Sequence, residues 1–222
     1  MMEFHWENRK QVGFFRGFWE SLKQSLFDPG KFFEAVPSGG DYVSPLLFGM
    51  ICIAIGFVFS ALYQVLFQGF GMLVGVLLHQ PPREIALGFG ATLFIAAAIV
   101  ISSPVAAFIH LFVYSGVYHL FLWMLGGNRR GFEATFRAFA YSQGPQILQV
   151  IPLVGTFITF VWHMILFVIG LKKVHGATTG QALGTALLPL ILLCGFTFLL
   201  VAGVIALIVF LVAATGHQRA AF

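Results

Sequence analysis

Residues 85–125 read IALGFGATLFIAAAIVISSPVAAFIHLFVYSGVYHLFLWML, without one Asp, Glu, Lys or Arg, and run directly into Gly126-Gly127-Asn128-Arg129-Arg130. A helix on the surface of a water-soluble protein needs a polar face, and this stretch has almost none. A membrane-crossing helix takes roughly 20 apolar residues, so the stretch is long for one crossing and barely enough for two. How its length is used decides the side on which every later loop falls.

The rest of the chain has the same character. It is 59% hydrophobic and 9% charged, where a globular domain carries about 25% charged residues. Four tracts, 42–82, 85–128, 138–171 and 174–218, lack Asp, Glu, Lys and Arg. The composition predicts an all-α fold: a polytopic integral membrane bundle of about five spanning helices. The net charge of +4 sits in the gaps between tracts and in the N-terminal arm, as the positive-inside bias requires. No stripe of Lys/Arg and aromatics suits nucleic acid, which is not expected as a partner. Cys52 and Cys194 fall inside apolar tracts and read as small buried hydrophobes, not as metal ligands. The first forty residues show no apolar core with a small-residue cleavage site, so the first crossing is expected to act as the insertion signal.

Residues 1–41 read as a cytosolic arm, 42–216 as the membrane domain and 217–222 as a short tail. Residues 1–10 are polar and expected to be mobile. From Phe14 to Phe27, residues Phe14, Phe15, Phe18, Trp19, Leu22 and Leu26 share an arc of about 140°, opposite Arg16, Glu20, Lys23 and Gln24. Aromatics facing mixed charge describe a helix lying in the membrane interface; the alternative is a helix packed on the protein itself. Asp28-Pro29 reads as an N-cap with proline in the first turn, opening a short helix that carries Phe32 and Phe33. Phe132, Phe136 and Phe139, with Glu133 and Arg137 on another face, predict a further interfacial helix.

Two threadings compete. If 85–125 crosses twice, Lys and Arg divide seven inside to five outside. If 85–125 crosses once and Ala138–Leu171 goes across and back, bent at Pro152, the division is ten to two. The positive-inside rule favours the second. Both put the N-terminus in the cytosol and the C-terminus outside.

Polar residues in lipid are the candidates for function. Ser103, Ala107, His110, Tyr114 and Tyr118 share one helix face. That face reads either as a substrate path or metal site, or as a stripe bonding neighbouring helices, and the second fits better. No His-Glu-x-x-His, paired carboxylates or Gly-x-Ser-x-Gly occurs, and no acidic residue lies in a spanning segment. No enzyme activity, cofactor or metal is therefore expected; a metal enzyme would need His110 or His119 to approach His163.

Several stretches together resemble the Yip family of membrane proteins, named for interaction with Ypt/Rab GTPases. They are Asp28-Pro29-Gly30-Lys31-Phe32-Phe33, Ser44-Pro45-Leu46-Leu47-Phe48, Leu125-Gly126-Gly127 before Arg129-Arg130, and Phe136-Arg137-Ala138-Phe139-Ala140-Tyr141-Ser142 with Gly144-Pro145. Ile151-Pro152-Leu153-Val154-Gly155 and Ile169-Gly170-Leu171 before His175-Gly176 complete the set. The resemblance covers roughly residues 28–200. It implies five membrane helices, a cytosolic N-terminus, and structural roles for Tyr141, Gly144, Pro145, Pro152 and Gly155. The short aromatic arm is similar to a compact bacterial branch, which argues against a Rab-type partner and for the bacterial cytoplasmic membrane. The expected function is a membrane-organising or trafficking-type scaffold, acting on lipids, on further copies of itself or on other membrane proteins, through its interfacial helices and the basic Arg129–Arg130 loop. The alternative is a small transporter or channel lined by His110, Tyr114 and Tyr118.

Overall fold

The computed structural model describes residues 5–219, and side chains as far as residue 208. The tail side chains, His217 and Arg219 among them, lie outside the described residues. The described chain is all-helical. Helices α1 (Arg9–Val12), α2 (Phe14–Phe27) and α3 (Pro29–Ala35) form the arm; α4 (Val43–Leu77) and α5 (Pro82–Met124) form a long hairpin. Then come α6 (Gly131–Tyr141), a 3-10 helix (Gly144–Val150), α7 (Gly155–His175) and α8 (Thr179–Arg219). Among the described residues, four helices are long and apolar enough to cross a membrane: α4, α5, α7 and α8. That is one fewer than expected, because α6 and the 3-10 helix, which occupy the stretch read as the remaining crossing, are each too short to qualify.

The 85–125 stretch is used once, as a single helix. Pro104 has no N–H for the carbonyl of Val100, which a helix would otherwise leave unpaired in lipid. The Ser103 hydroxyl donates to that carbonyl at 2.8 Å, so the helix continues through the proline. It stops at Gly126, which takes the left-handed φ of 69°. The Gly126 N–H bonds the carbonyl of Trp123 and the Gly127 N–H that of Leu122, the double closure of a Schellman cap.

From there the chain turns back into the bundle. Phe132 packs on His119 and Phe139 on His110, so α6 runs antiparallel to α5. Tyr141 meets Phe48, and further on the Tyr63 hydroxyl donates to the carbonyl of Val150, so the path descends beside α4. The return along α7 is marked by contacts of Pro145 with Thr159, Ser142 with His163 and Thr135 with His175. Within the bundle, Ala138–Leu171 therefore goes down and back. The expectation that α6 lies in the interface is corrected: Ala134 through Tyr141 are all buried. Its amphipathic pattern arises because its charged face is paired inside the protein, not turned to water.

The arm also departs from expectation. Residues 5–12 are not a loose polar lead, for Trp6 is fully buried and its indole donates to the carbonyl of Ser44 at 2.6 Å. Arg9 lies over the same ring at 4.8 Å. Leu22, Phe32 and Phe33 are each 1% exposed and pack on the bundle, which corrects their assignment to the membrane interface. Helix α2 docks by the small residues Gly17, Ser21 and Ser25 together with Leu22. This leaves the other flank of the apolar arc outward, with Phe15 85%, Trp19 53% and neighbouring Phe27 83% exposed; Phe14 lies at the margin and Phe18 is half-buried against Trp6. Glu34 on α3 pairs with Lys173, and Arg129 lies beside Gly176. Arm, double arginine and the Lys172–Lys173 end of α7 thus share one end of the molecule.

Beyond this packed end the long helices run on with little cover. Most of α4 after Ala61 and α5 before Ser103 faces outward, and every described residue of α8 from Ile191 is exposed.

Candidate functional site

Three glutamines create a polar interior. A 3-10 helix has three residues per turn, so side chains three apart stand above one another. Gln143 immediately before the 3-10 helix, and Gln146 and Gln149 within it, therefore form a ladder. Gln149 Nε2 donates to Gln146 Oε1 at 2.5 Å, and Gln146 Nε2 to Gln143 Oε1 at 3.2 Å. Gln143 Nε2 ends the run on the carbonyl of Phe139 at 3.4 Å. Ser60 of α4 donates to Gln149 Oε1 at 3.0 Å. Gly56 gives the ladder room, since a Cβ there would stand 2.9 Å from Gln146 Oε1 and 3.0 Å from Gln149 Nε2.

The ladder forms one wall of a cavity of about 320 Å³ between α5, α7 and α8. His110, Tyr114 and Tyr118 of α5 and Thr159 and His163 of α7 also line it. His163 holds the Ser142 carbonyl through Nδ1 at 2.9 Å, and the His110 ring lies against Tyr114, tilted by 35°, with centroids 4.4 Å apart. A second space of about 200 Å³ on the α4 side shares His110, Gln146 and Gln149. The structure thus brings His110, Tyr114, Tyr118 and His163 together but leaves out Ser103, whose hydroxyl is spent on its own helix. His119 is elsewhere, bonded at 2.9 Å to Thr135, which also bonds His175 at 3.0 Å. No cluster of His, Cys, Asp or Glu able to hold a metal occurs among the described residues.

The glutamines were not singled out in the sequence. Their signal is Gln-x-x-Gln-x-x-Gln around Pro145, a period of three that an apolar average hides.

A second polar centre fastens the arm. Arg137 is completely buried; it pairs with Glu7 at 2.5 Å and Glu133 at 3.3 Å, and donates to the carbonyl of Asp41 at 3.0 Å. Tyr141 donates to the same Glu7 oxygen at 2.8 Å. Burial opposes the Asp41 charge, yet the Ser44 N–H and hydroxyl, at 2.6 and 3.1 Å, hold that carboxyl below its ordinary value.

The remaining positions are joints. A Cβ on Gly144 would stand 2.6 Å from Ser25 Oγ, and one on Gly155 2.6 Å from the Leu148 carbonyl. The Pro145 carbonyl accepts from Thr159 at 3.0 Å. Pro152 leads the turn in which Leu153 takes a left-handed φ of 65°. Arg129 and Arg130 stay exposed at the packed end.

Comparison with curated proteins and with solved structures gives no match. A family model, the Yip1 domain, matches residues 23–202. That span takes in α3 to α7, the first part of α8, the whole glutamine ladder and Arg137, and leaves out most of the arm that Arg137 fastens. By this match over most of its length, on a bundle of long apolar helices, the chain belongs to the Yip1 domain family of integral membrane proteins.

Proposed function

We propose that this protein is a non-enzymatic organiser of the membrane it occupies, a bacterial cytoplasmic membrane with the arm on the cytosolic side. The observation that carries the reading is the outward flank of α2. Phe15, Trp19 and Phe27 stay exposed on a helix locked to the bundle through Trp6, Leu22 and the Glu7–Arg137 pair. A free amphipathic helix can leave the interface; this one cannot leave without breaking buried contacts. Its rings would wedge one leaflet at a fixed depth. Exposed Arg129, Arg130 and Lys172 at the same end would favour anionic lipid there. Phe136 and Phe139 add no second wedge, since both are buried. Lipids are the primary partner, with further copies or other membrane proteins gathered secondarily.

The test reconstitutes the full chain, labelled, into vesicles of mixed diameter. Wild type is expected to concentrate in the smallest vesicles, and Phe15→Glu with Phe27→Glu to lose that preference. Equal distribution of the two proteins removes the proposal. A second reading, transport, rests on the cavity lined by His110, Tyr114 and Tyr118; solute flux lost in His110→Ala would favour it over the scaffold.

A further inference from the structure

We infer that the cavity is a binding site for an uncharged glycerolipid of the diacylglycerol class, entered sideways from the bilayer. The inference does not depend on the α2 wedge. Four observations meet at this site.

The first is the charge of the wall. No Lys, Arg, Asp or Glu lines the cavity, so a phosphate, carboxylate or amine brought from water would lose its hydration with no counter-charge. The second is the direction of the ladder. Each amide spends one N–H on the next acceptor along, and a primary amide has two. Three N–H groups thus remain beyond the ladder's own bonds. Tyr114, Tyr118 and His110 line the same cavity, with ring contacts as their contribution to the packing. Such a wall suits a ligand rich in acceptors with a hydroxyl of its own: two ester carbonyls and one free alcohol.

The third is the mouth. Leu193 is 60% exposed and Phe160 44%, and both line the cavity beside the stretch of α8 whose residues from Ile191 are all exposed. The opening therefore faces the side of the bundle. Acyl chains leaving it would lie along the bare apolar length of α8 from Ile191. The fourth is size, since about 320 Å³ accommodates a glycerol backbone and its carbonyls but not two chains as well.

The experiment uses the full-length protein in phosphatidylcholine nanodiscs containing a photoactivatable, alkyne-tagged diacylglycerol, with labelled residues mapped by mass spectrometry. Labelling is expected to centre on α5, α7 and α8 around Tyr114, Phe160 and Leu193. Unlabelled diacylglycerol should compete, and phosphatidic acid with the same chains should not. Gln146→Leu should lower labelling about tenfold, the effect of losing roughly one hydrogen bond, while Phe94→Ala on the outer part of α5 should not change it. Gly56→Ala serves as the second variant should Gln146→Leu fail to fold. Its methyl crowds the ladder and removes no polar group, and the same loss is expected. Labelling spread evenly over outward-facing helices, or phosphatidic acid competing as well as diacylglycerol, overturns the proposal. Stronger competition by an isoprenoid quinone than by diacylglycerol also overturns it, assigning the donors to quinone carbonyls.

Discussion

The two ends of this bundle are built on different terms. At the arm end, helices meet through a buried arginine, an indole donor, a tyrosine hydroxyl and small residues that let backbones approach. At the other end α4 and α5 touch mainly each other, and α8 stands alone beyond Ile191, with leucine, phenylalanine and valine facing outward. Lipid is as apolar as these side chains, so burying them gains little and no partner is required. Polar groups cannot be left to lipid in that way. The difference teaches that in this chain the helices pack where polar groups need partners, with an apolar core filled in around them, and that apolar length alone brings a helix only into the bilayer.

The severest challenge to that contrast is Arg137→Ala. It leaves Glu7 and Glu133, 21% and 28% exposed, without their shared cation; a fully buried pair broken in this way costs about 3–5 kcal/mol, and the partial exposure of the carboxylates puts the cost below that. Thermal unfolding in detergent should show a large loss, with the arm becoming open to protease at Lys10. A variant as stable as wild type would mean that the arm end is held by its aromatics alone. Trp6→Phe separates those two contributions. It keeps a ring against Phe48 but drops the bond to Ser44, and should cost about 1 kcal/mol and speed cleavage of the arm without unfolding the bundle.

Acid sharpens the comparison further. Asp41 is held below its ordinary value of 3.8, so its contribution is complete above that value and fades as pH falls through the lower folded value. Protease protection of the arm should be constant from pH 7 to about 5, then decline in more acid solution, and Asp41→Asn should flatten the decline. The smallest effect is expected at the bare end: Phe198→Ala should change stability by less than about 0.5 kcal/mol, because the ring is 72% exposed and lipid replaces it. A loss comparable to that of Trp6→Phe would show that α8 has a protein partner there.

Much of this plan is legible in the chain, and the illegible parts have physical reasons. Counting Lys and Arg favoured a single pass for 85–125 because insertion responds to charge in the loops, whatever the helix does internally. The missing N–H of Pro104 is visible in the sequence, but the Ser103 hydroxyl that takes its place on the Val100 carbonyl is visible only in the structure. Phe132, Phe136 and Phe139 with Glu133 and Arg137 have the periodicity of an interfacial helix, and the same periodicity serves a buried helix whose charges meet Glu7 from far along the chain. Trp6 and Glu7 were lost in a segment judged by its average polarity. The glutamines were hidden for a related reason: their alignment depends on a 3-10 winding that local composition does not announce.

That winding has a consequence of its own. At three residues per turn Gln143 and Gln149 point the same way, but at the ordinary α-helical pitch they would diverge by about 120°. Unscrewing seven residues into an α-helix would break the amide relay and swing its last rung out of line, and would shorten the segment between α6 and α7 by about 3.5 Å. The chemistry lining the chamber is thus encoded in backbone pitch, and a ligand gripping all three rungs would act as a latch on the thread.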